Sequence, residues 1–472
     1  MSSPEGVDKP HLRRVLGRRD LILLFVVAVF NLNVVPSIAA SGGVAIWLWL
    51  ISLVLFFWPQ GIGVIELAHR YPGEGGVYLW SKELFGDFHG FFSGWCYWTN
   101  NMLYVPTVML YFVGVSVFVL GPKYASLTDN KTFAICTSLI LLALLAILNI
   151  VGSAVGKWLN NVGAIGTCIA AAVLIVLGGV VLSRTGLATM RAVDFRIPQD
   201  PRLVLNSFGV ICFALVGLEL ASVMGDEIEN PRKTLPGAVA WGGVISGFLY
   251  IATTLTLLLA VGSQINVLQG VMQAIGHLSS QMGIGWVIPV FAFMLSISIA
   301  GIGSAWLGGS ARIPFVAGLD SYMPGWLGRV HPKYGTPFAA LLVHVVISMA
   351  LCVVFFGFSS VEEAFQTMLS LAVVLQLIPY IYIFGALLKL AVARPDGKGV
   401  YKRATLIAAG VSGLVTTVLG ILLQYFPPQL VKSLGVYEVE MILGTLIFVG
   451  LAAYFFFVYG RRKSVGTVSI QA

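Results

Sequence analysis

The sequence predicts an all-α integral membrane protein with twelve transmembrane helices. Three observations predict it. Of the 472 residues, 58% are hydrophobic and only 10% are charged, against roughly a quarter charged in soluble domains. The mean hydropathy is +0.92, so too little charge is present to cover a water-facing surface. The apolar residues also fall into long runs, and a run of about 20 is what a helix needs to cross a bilayer.

Twelve such runs follow in order: 21–40, 44–67, 91–120, 133–151, 158–182 and 203–223, then 238–261, 286–315, 339–356, 364–390, 404–426 and 441–459. The first follows Lys9, Arg13, Arg14, Arg18 and Arg19. A second run begins almost at once, so the first reads as a retained span rather than a cleaved leader. It carries Asn31, Asn33, Pro36 and Ser37, which a helix in lipid tolerates only when packed in protein or lining a cavity. The second span ends on Glu66, His69 and Arg70, an expected structural ion pair at a membrane surface. The third contains Tyr97-Trp98-Thr99-Asn100-Asn101, two amides at depth that either bind neighbouring helices or touch a ligand. The fifth places Thr167 at depth.

The sixth span holds Gly217, Glu219 and Ser222 and runs into Asp226, Glu227, Glu229 and the turn Asn230-Pro231. Glu219 is the one carboxylate read well inside a span. It must be paired, protonated or facing water, because an exposed charge in lipid costs several kcal/mol. Proton coupling or contact with a substrate cation is one reading, and a carboxylate bonded to nearby backbone is the other. In the eighth span Trp306 lies among Gly301, Gly303, Gly308 and Gly309, as a pocket wall or as packing. In the tenth, Gln376 precedes Pro379-Tyr380 by about one turn, again as ligand contact or core hydrogen bonding. His344 in the ninth reads as a satisfied buried histidine. Arg461, Arg462 and Lys463 follow the last span.

The polar interruptions of the first and sixth spans lie five spans apart, the spacing of a 5+5 inverted repeat with one broken helix in each half. The organisation is therefore a tail (1–20), a ten-helix core (21–391, with repeats 21–182 and 203–391), helices 11 and 12 (392–460) and a second tail (461–472). Roughly three quarters of the basic residues fall on the side of both termini, which predicts cytoplasmic termini in a plasma or cell inner membrane. The net charge of +8 is thus a topology signal, and no basic face interleaved with aromatics points to nucleic acid. Cys96, Cys136, Cys168, Cys212 and Cys352 have no metal-ligand spacing and read as small core residues. No phosphate loop, zinc pair or nucleophile elbow is present, so neither enzymatic activity nor a cofactor nor a metal is expected.

Four segments together resemble the amino acid-polyamine-organocation superfamily. They are Ala39 to Gly43 with Tyr71-Pro72-Gly73-Glu74-Gly75-Gly76-Val77-Tyr78; Gly217 to Ser222 with Glu227 to Lys233 and Pro236; Trp306 to Pro324 with Tyr334 to Pro337; and Leu377-Ile378-Pro379-Tyr380-Ile381-Tyr382. The resemblance covers nearly all twelve spans and is nearest to exchangers such as the arginine/agmatine and glutamate/GABA antiporters. It implies the leucine-transporter fold, with broken helices 1 and 6, and alternating-access transport of an amino acid by exchange or proton coupling.

By that resemblance Phe213 is an aromatic gate, Trp306 the middle aromatic, Tyr97 and Tyr380 the tyrosines of spans three and ten, and Glu219 the carboxylate tied to pH-dependent exchange. The substrate site is then expected from Asn33, Ser37, Tyr97, Asn101, Phe213, Gly217, Ser222, Trp306, Gln376 and Tyr380, with protons and a small molecule as partners within the lipid bilayer. Two departures stand out. Ala28-Val29-Phe30 replaces the small Gly-Ser-Gly stretch of span one, whose backbone amides would hold a carboxylate, and Thr167 stands where proton-coupled relatives carry a lysine. A polyamine or organic-cation carrier is the alternative, and a non-transporting nutrient sensor a more distant one.

Overall fold

A computed structural model describes residues 18–71, 76–151, 153–186, 193–196, 202–219, 231–262, 264–311, 322–358, 360–393, 399–428, 431 and 433–460. Among them the regular structure is helical throughout, and ten helices are long and apolar enough to cross a membrane.

The chain begins with α1 (Arg18–Val29), which stops at Phe30-Asn31. Asn31 is extended (φ −120°, ψ 107°), and one 3-10 turn, Leu32–Val34, leads into the short α2 (Val35–Ala39). Pro36 sits in the first turn of α2, where its missing N–H costs nothing. α3 (Val44–Arg70) crosses with a π turn at Leu53–Phe57, and α4 (Gly76–Phe85) leads to the 30-residue α5 (Asp87–Ser116). α6 (Lys131–Val151) and α7 (Ser153–Thr185) follow.

The second half opens with α8 (Arg202–Ala214), which like α1 is too short to cross and ends in irregular backbone at 215–219. Next come α9 (Pro231–Val261), α10 (Gly270–Gln281), α11 (Val287–Ser310) and α12 (Phe338–Phe358). α13 (Val361–Val392) starts on a capping box in which Ser360 and Glu363 satisfy each other's backbone. α14 (Arg403–Leu423) and α15 (Leu434–Tyr454) complete the chain.

α4 and α10 were not among the predicted spans. At 10 and 12 residues they fall below the length that a hydropathy window detects.

α5 and α13 are the most buried crossing helices, whereas α6, α7 and α15 present rows such as Ile140, Leu144 and Ile147 outward. This is the expected arrangement of an interior pair ringed by helices that meet lipid. Cys136 corrects a sequence expectation, since it lies exposed on α6, and Cys168 is only partly buried on α7. On a helix whose outer face meets hydrocarbon, a thiol has no need of a protein core, because it is weakly polar.

The most extensive helix contact is α7 against α11. Gly163 meets Gly301 there: a Cβ added to Gly301 would lie 2.6 Å from the Gly163 Cα and nearer still to the Leu159 carbonyl oxygen. Gly301→Ala should therefore force the helices apart and cost about 1–3 kcal/mol by overpacking. A lowered thermal midpoint in detergent is the expected result, and an unchanged midpoint would refute the tight crossing.

At the end of α3, Glu66 is fully buried. Its Oε1 pairs with Arg70 Nε at 2.5 Å, and its Oε2 accepts from the backbone N–H groups of Val400 and Tyr401 at 2.9 and 3.0 Å. The carboxylate thus ties α3 to the segment before α14. Tyr401 lies outside the crossing helices, and its hydroxyl is pushed above the ordinary tyrosine range by burial and then by the Glu66 charge.

Candidate functional site

The two breaks meet. Gly217 has φ +134°, a region that residues with a Cβ rarely enter, and a Cβ there would lie 3.0 Å from the carbonyl oxygen of Ala28. The irregular backbone after α8 therefore abuts the end of α1, at the segment where the sequence departs from the small-residue pattern.

Glu219, buried to 3% exposure, turns its carboxylate back over this break. Gly217 N–H donates to Oε2 at 3.0 Å, the Tyr380 hydroxyl to Oε2 at 2.5 Å and the Tyr97 hydroxyl to Oε1 at 3.3 Å. Gln60 Nε2 in turn donates to the Tyr380 hydroxyl oxygen at 3.1 Å. One carboxylate thereby gathers donors from α5, from α13 and from the broken span itself. Hydrogen bonds to an ionised acceptor are among the strongest a protein makes.

A second cluster lies seven residues further along α5. That is about 10 Å at 1.5 Å per residue, two turns on the same face. Here the Tyr104 ring stands edge-on to Phe213 (centroids 5.1 Å apart) and to Trp306 (5.9 Å), and its hydroxyl donates to Asn33 Oδ1 at 3.3 Å. Phe213 and Trp306 are therefore brought together through Tyr104, while Tyr97 and Tyr380 belong to the carboxylate cluster.

The remaining predicted residues divide in the same way. Asn101 Nδ2 donates to the Tyr97 carbonyl at 3.0 Å, and Gln376 Oε1 accepts from Asn100 Nδ2 at 2.5 Å. Asn101 Oδ1, Gln376 Nε2, Gln60 Oε1, Asn33 Nδ2 and Ser37 Oγ are buried without a hydrogen-bond partner among the described residues. Unsatisfied buried polar atoms cost about 1–3 kcal/mol each, so their concentration here marks a region able to bond a polar ligand. Thr167 bonds within its own helix, to the Gly163 carbonyl at 3.0 Å, and His344 Nδ1 lies 3.3 Å from Ser310 Oγ. Ser222 and the acidic run at 226, 227 and 229 lie outside the described residues.

Three contributors were not picked out from the sequence. Tyr104 had a usable signal, since it falls two helical turns from Tyr97 on the same face. Gln60 had a weaker one, as an amide beside Pro59 within an apolar run. Tyr250 on α9 had none. Its hydroxyl accepts from Asn31 N–H at 2.9 Å and has the Val29 and Ala214 carbonyls at 2.6 and 3.0 Å within reach of its single proton. One side chain thereby serves the backbone of both breaks. Its ring stacks on Trp49 at 4.2 Å, and the Trp49 indole donates to Thr254 one turn further along α9.

A comparison with known proteins agrees with this architecture. The sequence profile described as amino acid permease matches residues 16–462. The chain belongs to the amino acid permease family. This permease is 27% identical over 449 residues to an uncharacterized transporter of Legionella pneumophila, covering 93% of this chain and 96% of the relative. It is 23% identical over 439 residues to a probable agmatine/putrescine antiporter of Lactococcus lactis, covering 91% of each. An uncharacterized transporter of Mycobacterium bovis is 26% identical over 350 residues, covering 72% of this chain and 74% of the relative. The permease is thus an antiporter-like member of its superfamily, a multi-pass membrane transporter rather than an enzyme.

Proposed function

We propose that this permease is a twelve-span exchanger of amino acids or related amines that works by alternating access. The segments α1–α2 and α8 are the broken helices of two repeats, 21–182 and 203–391, and α14 and α15 lie outside that core. The observation that carries the proposal is the Glu219 carboxylate, held at the junction of the two breaks by donors from two other helices. A group bonded at once to a discontinuous helix and to α5 and α13 can register occupancy of the site and relay it to the helices that must move.

In this reading Phe213 and Trp306, joined by Tyr104, close over the substrate on one side of the carboxylate. Asn33, Ser37, Asn101 and Gln376 supply polar contacts, Gly217 gives the backbone close approach, and Tyr97 and Tyr380 position Glu219 as the group through which protons couple. Both termini are cytoplasmic, as the basic residues indicate. The name of the Lactococcus relative supports exchange and an ammonium-bearing substrate.

The test is reconstitution into liposomes with a labelled panel of amino acids and amines, with and without unlabelled internal substrate and with and without a pH gradient. Acceleration by internal substrate is the expected result. Uptake driven by the proton gradient alone would replace exchange with symport, and silence across the panel would refute the transport reading.

A further inference from the structure

Pro59 interrupts α3 beside the site. Having no N–H, it cannot bond the Leu55 carbonyl four residues back, and its ring crowds that carbonyl. The helix accommodates it with the π turn at Leu53–Phe57, closed by Trp58 N–H on the Leu53 carbonyl. α14 meets the carbonyl that is left over: the Ser412 hydroxyl donates to it at 2.9 Å. The Thr416 hydroxyl lies 3.1 Å from the same oxygen, its single proton shared with the Ser412 and Gly413 carbonyls of its own helix. Two side chains of α14 thus hold the turn open.

The π turn decides which way the following residues face. Trp49 meets Tyr250 and Thr254 of α9. Leu53, Phe57 and Gly61 continue that face: a Cβ added at Gly247 would lie 2.9 Å from Leu53, one at Gly243 would run into Phe57, and one at Gly61 would lie 2.7 Å from Val239. In a regular α-helix a step of eleven residues returns to the same face within about 20°, whereas a step of twelve overshoots by about 120°. Gln60 would then share the α9 face with Trp49. The wider π turn gives that place to Gly61 and swings Gln60 away by about 100°. There Gln60 Nε2 donates to the Tyr380 hydroxyl oxygen at 3.1 Å, and Phe56, one turn earlier, packs on the Tyr380 ring with centroids 5.5 Å apart. Both side chains are fully buried.

We propose that Gln60 is a positioning residue for Glu219, aimed by the π turn that Pro59 makes and α14 holds. A tyrosine hydroxyl has one proton to give. With its oxygen occupied by the Gln60 amide, Tyr380 directs that proton to Glu219 Oε2, at 2.5 Å, and so favours the ionised carboxylate. Without the amide the same hydroxyl is free to turn and accept from a protonated Glu219, and the neutral form is no longer penalised. Among the described residues the other titratable group on the carboxylate is Tyr97 of α5, also a donor to it. The broken span adds Gly217 N–H, and α3 adds the uncharged Gln60 one hydrogen bond further out. The acidic residues at 226, 227 and 229 lie outside the described residues. A role in coupling rests on the transport reading, whereas the order of these hydrogen bonds does not.

The test uses Gln60→Met in the full-length protein, which keeps the length of the side chain and removes the donor. Two quantities are followed against pH: the infrared carboxyl band that disappears in Glu219→Gln, in detergent, and homoexchange in proteoliposomes. Both midpoints should move by about one unit to higher pH, a proton held about tenfold more tightly. Tyr380→Phe removes the hydroxyl through which Gln60 acts, so adding Gln60→Met to it should shift the midpoint by less than about a third of a unit. Pro59→Ala with Ser412→Ala offers Leu55 a helical N–H and takes away the α14 donor, and should shift the midpoint in the same direction as Gln60→Met. Unmoved midpoints in Gln60→Met, a move to lower pH, or full additivity with Tyr380→Phe would overturn the proposal. An unmoved midpoint in Pro59→Ala with Ser412→Ala would overturn the part assigned to the π turn. Should the protein exchange nothing on the panel while its carboxyl band shifts in Gln60→Met, the transport reading falls and the positioning role stands.

Discussion

Glu219→Gln should lower exchange more than tenfold and flatten its dependence on pH, while the protein still folds. Among the described residues the carboxylate accepts hydrogen bonds from Gly217, Tyr380 and Tyr97. A carboxamide keeps one of the two acceptor oxygens and turns an N–H₂ toward groups that are themselves donors, so either the Tyr97 hydroxyl on Oε1, or Gly217 N–H and the Tyr380 hydroxyl together on Oε2, loses its acceptor. Such a loss costs about 1–3 kcal/mol, and 1.4 kcal/mol is tenfold in an equilibrium or a rate. Glutamine also removes the titrating group itself. The measurement is homoexchange in proteoliposomes across the pH range 5–8, alongside the thermal midpoint in detergent. An unchanged pH profile would remove Glu219 from the coupling, whatever the rate.

The readiness with which this residue was found marks what the sequence makes legible. A charge inside an apolar run violates the solvent preference of every residue around it, so Glu219 stands out without any structure. The same logic exposed the first span, where Asn31, Asn33 and Pro36 interrupt hydrocarbon and where the helix stops at Phe30-Asn31. Phe213 was reached by resemblance alone, and Trp306 and Tyr380 stood between a ligand role and packing until the resemblance was added, because an aromatic in a membrane helix is ordinary by composition. What stayed hidden was pairing in space. The sequence offers nothing to say that Tyr104 gathers Phe213 and Trp306, or that Tyr250 reaches back across more than two hundred residues to Asn31. The short helices α4 and α10 were hidden for a different reason, as each is shorter than a crossing.

A cavity of about 330 Å³ among α2, α8, α10 and α13, lined in part by Glu362, differs from the Glu219 carboxylate in how the sequence could have shown it. Glu362 lies in the first turn of α13, where an acidic residue is expected simply because it complements the helix dipole. Nothing marks it as facing a cavity until the loop before α10 is seen to fold against it. The sequence thus reveals polar residues that are expensive where they stand, and conceals those whose position is ordinary and whose partners are distant.

Tyr250→Phe should leave the bundle folded and slow exchange at least tenfold. The phenylalanine ring keeps the stack on Trp49 and the contact with Phe30, so packing persists. Lost is the hydroxyl that accepts from Asn31 N–H and reaches the Val29 and Ala214 carbonyls. Val29 retains the longer contact from the Asn31 side-chain amide at 3.3 Å, whereas Asn31 N–H and the Ala214 carbonyl each lose the hydroxyl. A single hydroxyl proton can donate strongly to one carbonyl at a time, so Tyr250 biases the two breaks against each other: strengthening its bond to α1 weakens its bond to α8. Coupled motion of broken helices needs such a shared contact, and without it each break rearranges on its own. The discriminating measurement is therefore a split. Equilibrium binding of substrate should change by less than threefold, while the maximal exchange rate falls. A parallel loss of binding and rate would assign Tyr250 to simple support of the site, and wild-type exchange would show that the two breaks need no common tether.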